Sequence, residues 1–331
     1  MISEMRSSQG GTKPRVILTF SLPREWLGAL PEEVDLVQRE SSEISPRNWL
    51  LKEVGSADGL LCSLADRIDE EVLRRASMLR IISTYSVGYD HIDVKTARAR
   101  GIRVGYTPEV LTDSTADLVM ALLLAVARRV AEGDRLVRSG GWREPWSATF
   151  MLGADVHGKT LGIVGMGRIG RAVARRARGF DMRVLYHSRT PKDGVDAEYV
   201  SLESLLAESD FVVLAVDLNP DTYHMVDYGF LRRMRRSAFL INASRGKVVA
   251  EDDLVRALRE GVIAGAALDV YEEEPLDADH PLTRMENVVL TPHLGSATVD
   301  TRHRMAEVAV ENLMRGLRGE PLLHEVPAGR E

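Results

Sequence analysis

Three short segments collect residue types able to act on a carbonyl group: Asn242-Ala243-Ser244-Arg245-Gly246, Tyr271-Glu272-Glu273-Glu274-Pro275 and Thr291-Pro292-His293-Leu294-Gly295. Each follows an apolar run with the length of a buried strand. In an open α/β sheet, ligands bind beyond the carboxyl ends of the strands, so an Arg, a Glu and a His would leave along one edge. Reduction of a 2-keto acid asks for such a set. Arg offers a planar fork for the substrate carboxylate, His can hold and release a proton near neutral pH, and a carboxylate orients the imidazolium and keeps it charged. Taken singly, Arg245 reads equally as a loop arginine, Glu274 as an exposed turn residue and His293 as a capping or buried histidine. Shared position, not identity, raises them above that background. The seven other histidines have no comparable company and read as structural, and no His or carboxylate pair has metal spacing, so no metal is expected.

The second chemical motif is Gly165-Met166-Gly167-Arg168-Ile169-Gly170, a G-x-G-x-x-G between an apolar strand and a helix over 169–180. Gly165 can make the tight turn, Gly167 lets backbone approach a pyrophosphate, and Gly170 lets the helix pack on the strand. The helix N-terminus would present N–H groups to the phosphates. The spacing alone is weak, because a turn before any helix can be Gly-rich; the strand-turn-helix-strand setting makes it a dinucleotide site. An NAD site places Asp or Glu at the end of the second strand for the ribose 2′-hydroxyl. Here that strand ends in Ser188-Arg189-Thr190, with no carboxylate. Arg189 stands where the 2′-phosphate of NADP would lie, with Lys192 nearby. NADP(H) is therefore favoured and NAD(H) stays open, the alternative for Arg189 being a solvated surface arginine.

Positioning these groups requires alternating strands and helices, which predicts an α/β fold with mainly parallel sheets. The first block has strands over 15–20, 59–63, 80–84 and 103–106, with helices over 69–76 and 93–100. Asp113 or Ser114 is expected to cap a long apolar helix ending near Arg129. Residues 139–153 read as a loop carrying Trp142 and Trp146. The second block has strands over 160–164, 183–187, 211–216, 238–242, 265–270 and 288–290, and a final amphipathic helix over 298–317.

Taken together, Ser83–Asp93 (STYSVGYDHID), Gly105–Asp113 (GYTPEVLTD), the Gly165 turn, Asn242–Lys247, Leu268–Pro275 and Thr291–Ser296 resemble the D-isomer-specific 2-hydroxyacid dehydrogenases, most closely the glyoxylate/hydroxypyruvate reductases, over nearly all of 15–321. The resemblance implies Arg245, Glu274 and His293 as catalytic residues, Glu274 being chosen from its run because it precedes Pro275. It implies that the Val87 and Gly88 amides receive the substrate carboxylate. Thr115, Gly165, Met166, Gly167, Arg168, Ile169, Gly170, Ser188, Arg189, Thr190, Ala243, Ser244, Arg245, Asp269, His293 and Gly295 match cofactor contacts. Trp146 resembles a tryptophan that reaches a neighbouring subunit's substrate site, in a loop one residue longer here. Asp217 departs from the family pattern, where many members have Pro. The family implies two Rossmann-like or flavodoxin-like domains with the active site in the cleft between them: a substrate domain over 1–107 plus 297–331 and an NAD(P) domain over 108–296, associating as a homodimer. The implied reaction is reduction of glyoxylate or hydroxypyruvate to glycolate or D-glycerate. Relatives acting on other substrates, such as 3-phosphoglycerate, or serving as dinucleotide-sensing corepressors, are the alternatives.

Composition agrees with these readings. A net charge of −6 is spread over 331 residues with no basic stripe for nucleic acid. The longest apolar run, 118–127, is far short of a membrane span, and residues 1–14 read as a polar, disordered lead-in without a signal core. The lone Cys62 excludes an intrachain disulfide and fits a reducing, cytoplasmic compartment.

Overall fold

A computed structural model describes residues 13–39 and 45–328. The lead-in expected over 1–14 lies, through residue 12, outside the described residues. The chain divides into two compact units. One takes both chain ends, up to Val110 and again from Val299; the other is Leu111–Thr298.

In the first unit, β1 (Arg15–Leu18), β2 (Asp35–Gln38), β3 (Gly59–Cys62), β4 (Ile81–Thr84) and β5 (Arg103–Gly105) form a parallel sheet in the order β2-β1-β3-β4-β5. This is the flavodoxin-like order. Helices α1 (Leu30–Glu33), α2 (Arg47–Glu53), α3 (Glu70–Arg75) and α4 (Val94–Ala99) connect it. Asp69 and Asp93 start α3 and α4 by accepting from the Val72 and Thr96 N–H groups. The sequence reading did not contain β2, α1 or α2. No residue of β2 is fully buried, so this edge strand lacks the apolar run that marks its neighbours.

In the second unit, helices α5 (Thr112–Ala127) and α6 (Val130–Arg138) precede β6 (Thr160–Val164), α7 (Arg168–Ala177), β7 (Arg183–His187), β8 (Glu198–Tyr199), α8 (Leu202–Glu208) and β9 (Phe211–Leu214). Then come α9 (Tyr228–Arg233), β10 (Phe239–Asn242), α10 (Glu251–Arg259), β11 (Gly265–Leu268) and β12 (Val288–Leu290). The order β12-β11-β10-β9-β6-β7-β8, with every pairing parallel, is a doubly wound sheet. Its direction reverses between β6 and β9, where such sheets open a crevice for a dinucleotide. Leu205, Phe230 and Leu254 fill one face and Leu123 and Val173 the other. The apolar run in α5 is thus core of this unit.

The expected cap of α5 is corrected. The helix begins at Thr112 after Leu111, which makes no side-chain cap. Asp113 turns outward to Arg175 and Arg176 of α7, and the Ser114 hydroxyl donates back to the Leu111 carbonyl. Because the helix starts at Thr112, Asp113 already lies in its first turn rather than at the capping position. The helix also stops at Ala127, and Arg129, in a left-handed conformation, starts the unanticipated α6. After the second unit the chain returns to the first as α11 (Val299–Arg318). Gly316 seats this helix on Ile81, where a Cβ would come within 2.5 Å. Among the described residues no helix is long and apolar enough to cross a membrane.

Candidate active site

Register places the site. Val164 pairs with both His187 and Leu214, Leu214 with Asn242, Asn242 with Leu268, and Leu268 with Leu290. These residues form one row across the sheet, so whatever follows each of them leaves along the same edge. The Gly165 turn, the Ser188-Arg189-Thr190 turn, the Arg245 loop, the Glu274 loop and the His293 loop all start there.

The glycine turn fits a dinucleotide. Gly165 has φ +99°, and a Cβ on it would lie 2.3 Å from the Ala215 carbonyl oxygen. A Cβ on Gly170 would strike the Gly165 carbonyl oxygen at 2.3 Å, so close packing of α7 demands glycine there. Gly167 differs: a Cβ there would meet nothing within 4 Å, leaving open the side from which a pyrophosphate would approach the N-terminus of α7. Met166 is buried in the core, so it offers that site its backbone only. Arg168 and Ile169 form the first turn of α7. Beyond β7, the Ser188 hydroxyl donates to the Thr190 carbonyl and holds the turn, while Arg189 points to solvent. Lys192 Nζ donates to the Thr190 hydroxyl.

His293 Nδ1 lies 2.7 Å from Glu274 Oε2. The other carboxylate oxygen of Glu274 accepts the Tyr271 N–H at 3.0 Å. Burial pushes this carboxyl's pKa up, but the His293 hydrogen bond and charge, the Tyr271 N–H and the charge of Arg245 outweigh it, leaving a net value below the ordinary one. The ionised Glu274 thus accepts from Nδ1–H, and Nε2 is the ring atom left for a substrate. Glu272 is directed elsewhere: its Oε1 accepts the Glu251 N–H and lies 3.1 Å from His224 Nε2. Among the glutamates of this run, the structure joins Glu274 to His293.

Three further devices hold the loops; the sequence reading gives Thr115 and Asp269 as cofactor contacts and assigns this holding role to none of the three. The buried Asn242 clamps the Arg245 loop, accepting from Ser244 N and Oγ and donating to the Arg245 carbonyl. Asp269 clamps the His293 loop: its carboxylate accepts from Thr291 Oγ1, Leu294 N and Gly295 N at 2.6–2.9 Å, and its carbonyl accepts the His293 N–H. Burial outweighs these bonds and leaves the Asp269 carboxyl pKa raised. Thr115 Oγ1 donates to the Gly295 carbonyl. Gly246 fits so tightly against the Tyr271–Glu272 peptide that the Arg245 and Glu274 loops are in direct backbone contact.

Comparison with known proteins agrees with this architecture. The D-isomer specific 2-hydroxyacid dehydrogenase NAD binding domain matches residues 120–295. A glyoxylate reductase of Korarchaeum cryptofilum is 52% identical over 312 residues, covering 93% of this chain and 94% of that protein. The chain belongs to the D-isomer specific 2-hydroxyacid dehydrogenases. Among solved structures, a Thermus thermophilus protein shares 50% identity at a TM-score of 0.88, covering 95% of this chain and all of that one. An NADPH-dependent glyoxylate/hydroxypyruvate reductase from Sinorhizobium meliloti, in complex with NADP and malonate, shares 33% identity at a TM-score of 0.83, covering 95% of this chain and 97% of that one.

This dehydrogenase is an NAD(P)-dependent oxidoreductase, and its second unit carries the dinucleotide site. The remaining sequence candidates take these places. Val87 and Gly88 lie half-buried just after β4 in the first unit. Trp146 is 85% exposed in the irregular segment after α6. Asp217 caps a turn, its carbonyl accepting from the Thr222 hydroxyl at 2.6 Å.

Proposed function

We propose that this dehydrogenase reduces glyoxylate and hydroxypyruvate to glycolate and D-glycerate, with NADPH preferred over NADH. The carrying observation is the 2.7 Å His293–Glu274 pair standing in one row with Arg245 and the glycine turn. Bound at that turn, the reduced dinucleotide would supply hydride to the keto carbon. The chain's own residues do the rest. His293 hands a proton from Nε2 to the carbonyl oxygen as that oxygen gains charge, and Glu274 stabilises the imidazolium from the opposite nitrogen. Arg245 holds the substrate carboxylate by its planar fork, with the Val87 and Gly88 N–H groups as further donors. The glyoxylate reductases at about half identity support this substrate class.

For the cofactor, support comes from the Ser188-Arg189-Thr190 turn, which itself carries no carboxylate and exposes Arg189 after β7, the strand paired with β6 before the Gly165 turn. A charge-assisted Arg–phosphate bond contributes about 1.5–3 kcal/mol, enough for roughly tenfold selectivity or more. A homodimer belongs to the same reading, supported by the exposed Val137, Trp142, Trp146 and Leu152 on and after α6. Steady-state assays of glyoxylate, hydroxypyruvate, pyruvate and phosphohydroxypyruvate with each reduced nicotinamide test the proposal. The first two acids with NADPH should give the highest kcat/KM. Preference for another acid would overturn the substrate reading, and equal efficiency with NADH would overturn the role of Arg189.

A further inference from the structure

The carboxyl edge of the first unit's sheet contains a run of hydrogen bonds that the reaction as described does not use. His91 Nε2 lies 3.1 Å from Thr84 Oγ1, Thr84 Oγ1 lies 2.7 Å from Ser86 Oγ, and Ser86 Oγ lies 2.6 Å from the Gly88 carbonyl oxygen. Thr84 and Ser86 are buried. Directions follow from proton supply. A carbonyl oxygen only accepts, so Ser86 donates to Gly88; Ser86 then accepts from Thr84, and Thr84 accepts from Nε2–H of His91. Burial raises the pKa of the Cys62 thiol beside Thr84, so this neighbour is an S–H and only a weak acceptor, and the Thr84 proton goes to the stronger acceptor, Ser86 Oγ. The far end is anchored in regular structure. The His91 carbonyl accepts the Ile68 N–H at 2.9 Å, and Asp93, two residues on, caps α4.

We propose that His91, Thr84 and Ser86 form a positioning strut that fixes the Val87–Gly88 backbone in the orientation that receives the substrate carboxylate. Glycine has the freest backbone of any residue, so an unrestrained Gly88 would let these amides swing away. Holding its carbonyl inward sets the plane of the next peptide and restricts the rotation on either side of the Gly88 Cα. Preorganised donors bind an anion without the cost of ordering them first. None of the three side chains need touch the substrate; they act through Val87 and Gly88. The inference rests on the proposed reading that these two amides hold the carboxylate.

The full-length enzyme is assayed with glyoxylate and NADPH as Ser86→Ala, Thr84→Val, Thr84→Ser and Ser83→Ala. Ser83 is the control: it is equally buried on the same strand, but its hydroxyl donates to the Ala309 carbonyl of α11. Ser86→Ala should raise KM about five- to tenfold, the worth of one hydrogen bond, with kcat and NADPH affinity within about twofold. Thr84→Val, which keeps the shape and loses the hydroxyl, should move KM the same way, and Thr84→Ser should restore it. Should Ser86→Ala not fold, the two Thr84 variants decide. An unchanged KM in Ser86→Ala, an equal rise in Ser83→Ala, or a failure of Thr84→Ser to restore KM would overturn the strut alone. Absence of turnover of any 2-keto acid by the unmodified enzyme would overturn the reading beneath it as well.

Discussion

Gly246 directly follows Arg245 and lies against the peptide that joins Tyr271 to Glu272. A Cβ built on it would stand 1.8 Å from the Tyr271 carbonyl oxygen and 2.6 Å from the Glu272 nitrogen. Real Cβ atoms keep at least 3.0 Å from such neighbours, so Gly246→Ala must part the two loops by 1.2 Å or more, the difference between 3.0 and 1.8 Å. Both obstacles are backbone, so no side-chain rotation relieves the clash. One loop carries Arg245; the other carries Glu274, which holds the ring of His293. A misplacement of about 1 Å between groups that must converge on one substrate costs roughly a hundredfold in rate, and overpacking costs about 1–3 kcal/mol of stability. The glycine turn follows β6, two strands away from β10, and should be spared. We therefore expect kcat/KM for glyoxylate to fall about a hundredfold. Dinucleotide affinity, read by titration calorimetry, should change far less, and thermal unfolding should shift only modestly. Turnover within about threefold of the parent would refute the reasoning, since the loops would then have parted without displacing the groups they carry.

The remaining predictions separate the site's parts. Gly167→Ala should show the reverse pattern to Gly246→Ala: thermal stability is retained, because the new Cβ meets nothing within 4 Å, while dinucleotide affinity falls on titration. His293→Asn should leave dinucleotide binding intact and lower kcat by about 10²–10⁴-fold in steady-state assays, because the proposed proton donor at Nε2 is lost. The Glu274 carboxyl is held below its ordinary value of 4.5, so folding favours its ionised form. The stability it contributes is therefore present above the ordinary carboxylate range and is lost as pH falls through the lowered value. The gap in urea midpoint between the parent and Glu274→Gln should accordingly narrow under acid conditions, and a gap that widens there would contradict the pairing.

Much of this was legible from residues alone because the relevant signals are local. A G-x-G-x-x-G between an apolar run and a helix reads as strand-turn-helix, and the positive φ of Gly165 and the packing of Gly170 on the Gly165 carbonyl are local to the motif, although the approach of Gly165 to Ala215 is not. Parallel strands all point their carboxyl ends one way, so the order of segments already sent Arg245, Glu274 and His293 to one edge. Local signals also misled. Asp113 has the chemistry of a helix cap, yet two arginines on α7 claim it.

The amino-acid order by itself determined the alternation of elements, the nucleotide turn and the kinds of side chain at each strand end. Tertiary structure alone decided that the residues after β10, β11 and β12 are neighbours, and it joined His293 to Glu274, the glutamate that the resemblance had picked from its run. It also decided that Asn242, Gly246 and Asp269 hold the loops in place, and that His91 reaches back to Thr84. The division has a physical cause. Backbone periodicity is set by interactions a few residues apart, whereas strand order, register and the direction of a loop side chain depend on contacts between segments tens of residues apart, which exist only once the sheet has assembled.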